Sequence, residues 1–337
     1  MKRFAIKCAL FLMLFIGLLF SQKLLDHYTP WYWGYDDLYV KLNFLQKQNI
    51  QYDVLFLGSS RSFRNTDPMV FDSLTGLKSF NVSLPGTQPP ELYMIVEHLI
   101  NQKADSADQT YIIELIDVHQ AFIKNDMSVR RNYWMTLDNY QFGLANFMEK
   151  RAPRTLLRYT ESVIQAQTKF GMGRQQFQSM RKKRDTQFAL GPLQNGHINF
   201  SNQIRLGINL ASIEVRKERF EADTLELWER RKRVLAEMNS PLKLPNVVHL
   251  QKIKDLIHRA SEKNIKLVFV RVPIQEHVWG LFNDIPNGHK LDLGHPLKYP
   301  ELYMSKFHFD HGHLSSQGAE FYTRLLSEAF LRDFDRP

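Results

Sequence analysis

Three stretches of the chain are apolar almost without interruption and have the length of strands, "YDVLFLG" (52–58), "TYIIELI" (110–116) and "IKLVFVRVP" (265–273), and "KSFNVSL" (78–84) is a weaker fourth candidate. Continuous apolar runs, as opposed to alternating ones, mark strands buried on both faces, the situation in a parallel sheet covered by helices. Helical periodicity lies between and after them. "PPELYMIVEHLINQK" (89–103) opens on prolines, whose fixed φ suits a first turn. "NVVHLQKIKDLIHRASEKN" (246–264) puts Val247, Val248, Leu250, Ile253, Leu256 and Ile257 on one helical face, and "SSQGAEFYTRLLSEAFLRDF" (315–334) closes the chain. Strands alternating with such helices predict an α/β fold of three layers around a parallel sheet.

Two regions depart from this rhythm. At the N-terminus, Lys2, Arg3 and Lys7 precede an apolar run from Cys8 to Phe20. Residues 4–22 are expected to form a membrane-spanning helix with its basic end in the cytoplasm. A signal peptide shares this layout, but no small-x-small cleavage site stands near residues 17–23, which favours an uncleaved anchor. A membrane-proximal segment (23–49) then leads to an extracytoplasmic domain (50–337). The aromatic cluster "HYTPWYWGYDDLY" in that segment suits a membrane interface, and packing on the domain accounts for it equally. The second region, at about 124–240, reads as a mostly helical insertion with the basic runs "KRAPRTLLR", "RKKRD", "VRKERF" and "ERRKR".

Composition narrows the classes. The chain has 337 residues, a net charge of +9 and one cysteine, Cys8, inside the expected anchor. Cysteine catalysis, thiolate metal sites and a disulfide framework are thereby excluded from the rest of the chain. Basic runs are commonly solvated helix faces. Read as a binding patch, they suit anionic polysaccharide or lipid headgroups. No zinc-finger, RNP-like or helix-turn-helix signature accompanies them, so nucleic acid is not an expected partner.

Three short motifs carry candidate chemistry. "FLGSSRS" ends a strand at Gly58 and places Ser59 and Ser60 at its carboxyl end, where ligands of open α/β sheets bind. A serine there is a candidate nucleophile, and a plain helix N-cap is the alternative reading. The α/β-hydrolase elbow is excluded, because it needs glycine where Ser62 stands. "FNVSLPGTQPP" ends a second strand, and Gly86 allows a tight turn whose N–H approaches a substrate oxygen. "FHFDHGHL" sets Asp310 three residues before His313, a spacing that lets the carboxylate take Nδ1–H and leaves Nε2 free as a base. His308, Asp310, His311 and His313 supply ligand types but no metal spacing, so no metal is expected.

In order along the chain, these pieces resemble the blocks of the SGNH (GDSL-like) hydrolase family. Gly58-Ser59-Ser60 stands for its Gly-Asp-Ser block, Gly86 for its second-block glycine, and Asp310 and His313 for its Asp-x-x-His block. The match covers roughly 50–123 and 245–334. The third block, Gly-x-Asn-Asp, has no asparagine here, where "IDVHQAF" follows the strand. The resemblance implies a three-layer, flavodoxin-like parallel sheet. It implies Ser60 as nucleophile with Ser59 as alternative, His313 as base and Asp310 as its orienting carboxylate. It also implies an oxyanion hole from the N–H groups of Ser60 and Gly86, and no cofactor. Arg61 is a candidate for binding an anionic sugar or phosphate, or a helix-surface residue. With the anchor and the insertion, the chain looks like the membrane-anchored branch of bacterial envelope biosynthesis. That branch includes relatives of alginate O-acetyltransferases and of the D-alanyl transfer protein. The expected activity is acyl transfer to an envelope polysaccharide, or ester hydrolysis, with an acyl donor and a membrane-embedded acyltransferase as partners. A non-catalytic scaffold that binds glycan or a membrane partner is the alternative.

Overall fold

The computed structural model describes residues 2–28, 36–48, 50–103, 108–116, 186–238, 244–275 and 278–334, with isolated positions between 140 and 164. The chain forms two compact units, one of residues 1–39 with 123–184 and one of residues 40–122 with 185–337. In the first unit, helix α1 (Lys2–Tyr28) contains the apolar run, and its described side chains are exposed, Phe4, Phe11 and Leu14 among them. Among the described residues, no helix is long and apolar enough to cross a membrane. Most of the aromatic cluster and the first half of the basic insertion, up to 185, lie outside the described residues.

The second unit is α/β. Its five-stranded sheet comprises β1 (Val54–Leu57), β2 (Ser79–Asn81), β3 (Gln109–Glu114), β4 (Ile265–Arg271) and β5 (Lys290–Asp292). The spatial order is β2-β1-β3-β4-β5 and every pairing is parallel. Four of the strands are the stretches read from the sequence. The alternation of side chains sends Val54, Phe56, Ile112, Val268 and Val270 to one face, where they share a core with Phe71, Tyr322, Leu326 and Phe330. Helices α3 (Ser60–Asn65), α4 (Pro68–Thr75) and the C-terminal α12 (Ser316–Phe334) pack together on that side. Phe71 is the pivot, with ring centroids 5.1 Å from Phe56 and 5.4 Å from Phe330. Truncation of such a buried aromatic costs about 3–5 kcal/mol. Leu55, Leu57, Tyr111, Ile113, Leu267 and Phe269 alternate to the other face and are buried. There α5 (Pro89–Gln102) and α10 (Leu244–Ser261) pack against each other, and α10 packs on β4.

The described half of the insertion is helical, as expected: α6 (Thr186–Leu190), α7 (Phe200–Arg205), α8 (Leu210–Ala222) and α9 (Leu225–Glu237). It belongs to the same compact unit as the sheet. Part of its charge is spent locally, in pairs such as Lys217–Glu221 and Arg230–Glu226. A short helix, α11 (Trp279–Asp284), precedes β5. A small antiparallel ribbon, β6 (His308–Asp310) and β7 (His313–Leu314), leads into α12. The parallel order reverses between β1 and β3, which makes their carboxyl ends the place where a doubly wound sheet opens a crevice.

Candidate active site

β1 ends at Leu57 and the chain turns at once into α3, so Ser60 is the first residue of that helix. Ser59 caps it, its Oγ accepting the Arg61 N–H at 3.3 Å. The two neighbouring serines have different partners. Ser59 is buried and its hydroxyl donates to the Glu114 carboxylate at 2.9 Å. Ser60 is half-buried and its Oγ lies 2.8 Å from Nε2 of His313. The structure therefore separates the two candidates: the hydroxyl of Ser59 is committed to Glu114, and that of Ser60 meets a base.

His313 and Asp310 face each other across the ribbon, paired in register. Nδ1 of His313 lies 2.8 Å from Oδ1 of Asp310. A carboxylate only accepts, so Nδ1 carries the proton, and Nε2 of the neutral ring accepts the Ser60 hydroxyl. Asp310 Oδ1 also takes the Gly312 N–H at 2.7 Å, and Oδ2 takes Arg216 of α8 at 3.2 Å. Burial pushes the Asp310 carboxyl up. The hydrogen bond and charge of His313, the Gly312 N–H and Arg216 outweigh burial and hold it well below the usual carboxylate range. Burial pushes His313 down. Asp310 opposes this, and Arg64 and Arg61 add to it, with the net direction downward. His313 is thus neutral at pH 7 and competent as a base.

The line from Ser60 to Asp310 is held by groups that sequence reasoning missed. Glu114, at the end of β3, is buried and accepts the Ser59 N–H at 2.8 Å, the Ser62 N–H at 3.2 Å and Nε2 of Gln275 at 3.2 Å. It clamps the turn that presents Ser60 from the neighbouring strand. Gly58 makes room for it: a Cβ there would stand 2.6 Å from the Glu114 side chain. Asn65, at the end of α3, accepts the Leu314 N–H at 3.2 Å and its carbonyl takes Thr323 Oγ1 at 3.0 Å. Helix α3 is thereby tied both to β7 and to α12. Asn81 of β2 donates to the carbonyls of Ser62 and Thr66 at 3.0 and 2.9 Å, closing the far end of α3. Lys41 of helix α2 (Asp36–Gln48), fully buried, donates to the carbonyls of Asn81, Ser83 and Gly196 at 2.7–2.8 Å and pins the chain leaving β2. A buried carboxylate inside the apolar run "YIIEL" was the one available signal for Glu114. The others read as ordinary polar helix or turn positions.

The remaining expected residues also have places. Leu84 N–H bonds the Gly58 carbonyl at 3.0 Å, so Ser60 and Gly86 each stand two residues beyond a paired position on adjacent strands. Gly86 is exposed at φ +75°, a conformation glycine adopts without strain. Among the described residues, neither the Ser60 nor the Gly86 N–H has a protein acceptor. Arg61 is no plain surface residue: its guanidinium lies 3.8 Å from Glu114, with Nε buried. His308 and His311 turn elsewhere, their Nε2 atoms on the carbonyls of Leu302 and Asp223. Where the third-block asparagine of the SGNH family would stand, residues 117–139 lie outside the described residues. A cleft of about 500 Å³ opens beside the base, lined by Arg216, Arg219, Asp310 and His313 among others. An oriented hydroxyl, a neutral imidazole and an ionised carboxylate in line constitute the chemistry of nucleophilic acyl transfer. No family model, curated protein or solved structure matches this chain.

Proposed function

We propose that the chain is a serine-dependent acyltransferase of SGNH-like type that moves an acyl group onto a hydroxyl of a bacterial cell-envelope polysaccharide. The observation that carries the reading is the unbroken line from Ser60 Oγ to His313 to Asp310, with both hydrogen bonds at 2.8 Å. Ser60 attacks the acyl carbonyl of the donor while His313 Nε2 takes its proton. The carbonyl oxygen becomes an oxyanion facing the N–H groups of Ser60 and Gly86. As the oxyanion collapses, the bond to the donor's leaving alcohol breaks, and His313 returns the proton to that alcohol. The acceptor hydroxyl then attacks the acyl-enzyme while His313 takes its proton; the bond between the acyl carbon and Ser60 Oγ breaks, and His313 returns that proton to Oγ. Asp310 stays ionised throughout and holds the ring in the tautomer that leaves Nε2 free. Water in place of the sugar hydroxyl gives ester hydrolysis by the same steps.

Placement outside the cytoplasm, with α1 as single-pass anchor in the bacterial cytoplasmic membrane, belongs to the same proposal. It is supported by Lys2 and Arg3 before the apolar run and by the exposure of that run's described side chains. An acyl donor delivered by a membrane-embedded partner fits such an anchor.

The test is labelling of the full-length protein with a fluorophosphonate, followed by a product assay with acyl donor and envelope glycan. Labelling that disappears in Ser60→Ala and in His313→Ala, together with acylated glycan made only by the wild type, is expected. Free carboxylic acid as the sole product replaces transfer by hydrolysis. Absence of labelling with glycan binding intact replaces the enzyme by a scaffold.

A further inference from the structure

We infer that the active site contains a subsite for an anionic group, a carboxylate or a phosphate, on the molecule whose hydroxyl is acylated, formed by Arg64 together with Arg61 and Arg216. The inference deepens the acyl-transfer reading, and its test is built to fail separately from it.

Arg64 follows Ser60 by four residues on α3, so the two side chains leave the same face of the helix, with Cβ atoms about 5–6 Å apart. That is the span of one sugar ring. Arg64 is only 7% exposed, yet among the described residues its Nη1 has no hydrogen-bond partner. Its guanidinium carbon stands over Phe200, 3.9 Å from the ring centroid, and the same Phe200 ring meets His313 edge-on at 5.4 Å. Guanidinium and imidazole therefore share one aromatic wall. Arg61 repeats the feature: its Nε is buried and unpaired.

A buried cationic donor without an acceptor is costly, and native structures seldom keep one idle. None of these nitrogens takes part in the line from Ser60 to Asp310. The local charge is also unbalanced. Arg61, Arg64, Arg216 and Arg219 gather here, against the carboxylates of Glu114 and Asp310. Glu114 answers Arg61, and Asp310 answers Arg216 and also attracts Arg64, so among these described residues four guanidinium groups face two carboxylates. Burial, and then the charge of Arg216, push Arg64 down to about 10 against the pull of Asp310, so it remains a cation at neutral pH. A planar guanidinium held by an aromatic face is pre-arranged for two parallel hydrogen bonds to a carboxylate or phosphate.

Isothermal titration of the full-length protein in detergent tests this with three probes: methyl α-D-glucuronide, glycerol 1-phosphate and the neutral methyl α-D-glucoside. At least one of the two anions is expected to bind, the tighter one naming the carboxylate or the phosphate as the source. The neutral glucoside is expected to bind at least about 10-fold more weakly. Arg64→Met, which keeps the packing on Phe200, is expected to lose about 10-fold or more in anion affinity, and the half-exposed Arg216→Gln about 2–5-fold. Equal binding of the glucoside and the anions overturns the subsite, as does wild-type anion affinity in both variants. If Arg64→Met does not fold, Arg216→Gln decides together with a salt titration of the wild type: anion affinity that is indifferent to ionic strength overturns the inference. Fluorophosphonate labelling of Ser60 without anion binding removes the subsite alone. Anion binding lost in Arg64→Met, with Ser60 unlabelled, upholds the subsite and removes acyl transfer.

Discussion

At its amino end the sheet borders a cleft of about 600 Å³ lined by Asp53, Asp108, Lys266 and His289 among others, while the cleft beside His313 measures about 500 Å³. Both contain charged side chains. They differ in what those side chains are doing. At the amino end the polar groups serve the fold: Asp53 Oδ2 accepts the Lys78 N–H at 2.8 Å, His289 Nδ1 meets the Leu267 carbonyl at 2.8 Å, and the Lys266 ammonium sits 4.4 Å over the Phe334 ring. Beside His313 a hydroxyl, an imidazole and a carboxylate bond to one another, and two guanidinium nitrogens bond to nothing described. Cavity size does not mark the site; convergence of reactive groups on one another does. The topology explains the asymmetry. The strand order reverses between β1 and β3, and in sheets of this kind ligands bind beyond the carboxyl ends of the strands at such a point.

The sharpest way to break that comparison is to remove one group from each end. Ser60→Ala and His313→Ala are expected to lower kcat by about 10⁴–10⁶-fold in an ester-cleavage or transfer assay. Lys266→Ala, at the amino end, is expected to leave kcat within about 2-fold, as for a surface substitution away from the chemistry. A loss in Lys266→Ala comparable to that in Ser60→Ala would move the site to the other end of the sheet. Asp310→Asn comes next, with an expected loss of about 10³–10⁴-fold in kcat. The amide presents an N–H where the carboxylate accepts one, so the ring turns to the tautomer whose Nε2 is protonated. Near wild-type rates in Asp310→Asn would mean that the ribbon alone orients His313.

Most of the sheet was legible because buried parallel strands are written as near-continuous apolar runs, and β1, β3 and β4 are; β2, Ser79-Phe80-Asn81, was the weaker signal because two of its three buried residues are polar. β5 escaped because Lys290-Leu291-Asp292 buries only its central residue at the edge of the sheet; its place is set by the fully buried Arg271 of β4, which pairs with Asp292. The line Ser60–His313–Asp310 was legible because a strand-Gly-x-Ser and an Asp-x-x-His each put a reactive side chain on a turn. The supports were not. Glu114 is one carboxylate in an apolar run, and its four donors come from residues 59, 62 and 275, distant in sequence from it. Arg64 and Asn65 look like any polar residues in a short helix. Only the tertiary packing of α3 against β7 and α12 reveals what they hold.

Glu114 also tests whether the carboxyl end is as tightly built as its hydrogen bonds imply. Glu114→Gln keeps the shape but turns one acceptor into a donor facing N–H groups. It is expected to destabilise the protein by about 1.5–3 kcal/mol in a denaturant titration, with a fall in kcat as the Ser60 turn loosens. Gly58→Ala forces a methyl group against the same side chain, an overpacking expected to cost about 1–3 kcal/mol. At the amino end, Asp53→Asn retains an acceptor for Lys78 N–H and is expected to change stability by no more than about 0.5 kcal/mol. Equal costs at the two ends would erase the difference in construction between them.

The smallest effect is in the pH profile, and it isolates the charge around the base. Burial, with Arg64 and Arg61, holds His313 below its usual value despite Asp310, so the acid limb of kcat/KM is expected below about 6.5. Arg64→Met removes one repelling cation, and the limb should move upward in pH by less than about one unit. The same shift affects stability. A histidine lowered on folding binds fewer protons folded than unfolded, so its contribution is complete above about 6.5 and is lost as pH falls toward its folded value. Asp310, also lowered on folding, keeps its contribution above about 3.9 and loses it as pH falls through its own folded value. Acidification should therefore begin to weaken the fold as pH drops below about 6.5, remove activity as it passes the folded value of His313, and take away the Asp310 contribution last, below about 3.9, as measured by parallel rate and melting experiments from pH 7 to pH 3. An acid limb at or above 6.5, or one unmoved in Arg64→Met, would mean that the guanidinium does not act on the base and that Asp310 alone sets its titration.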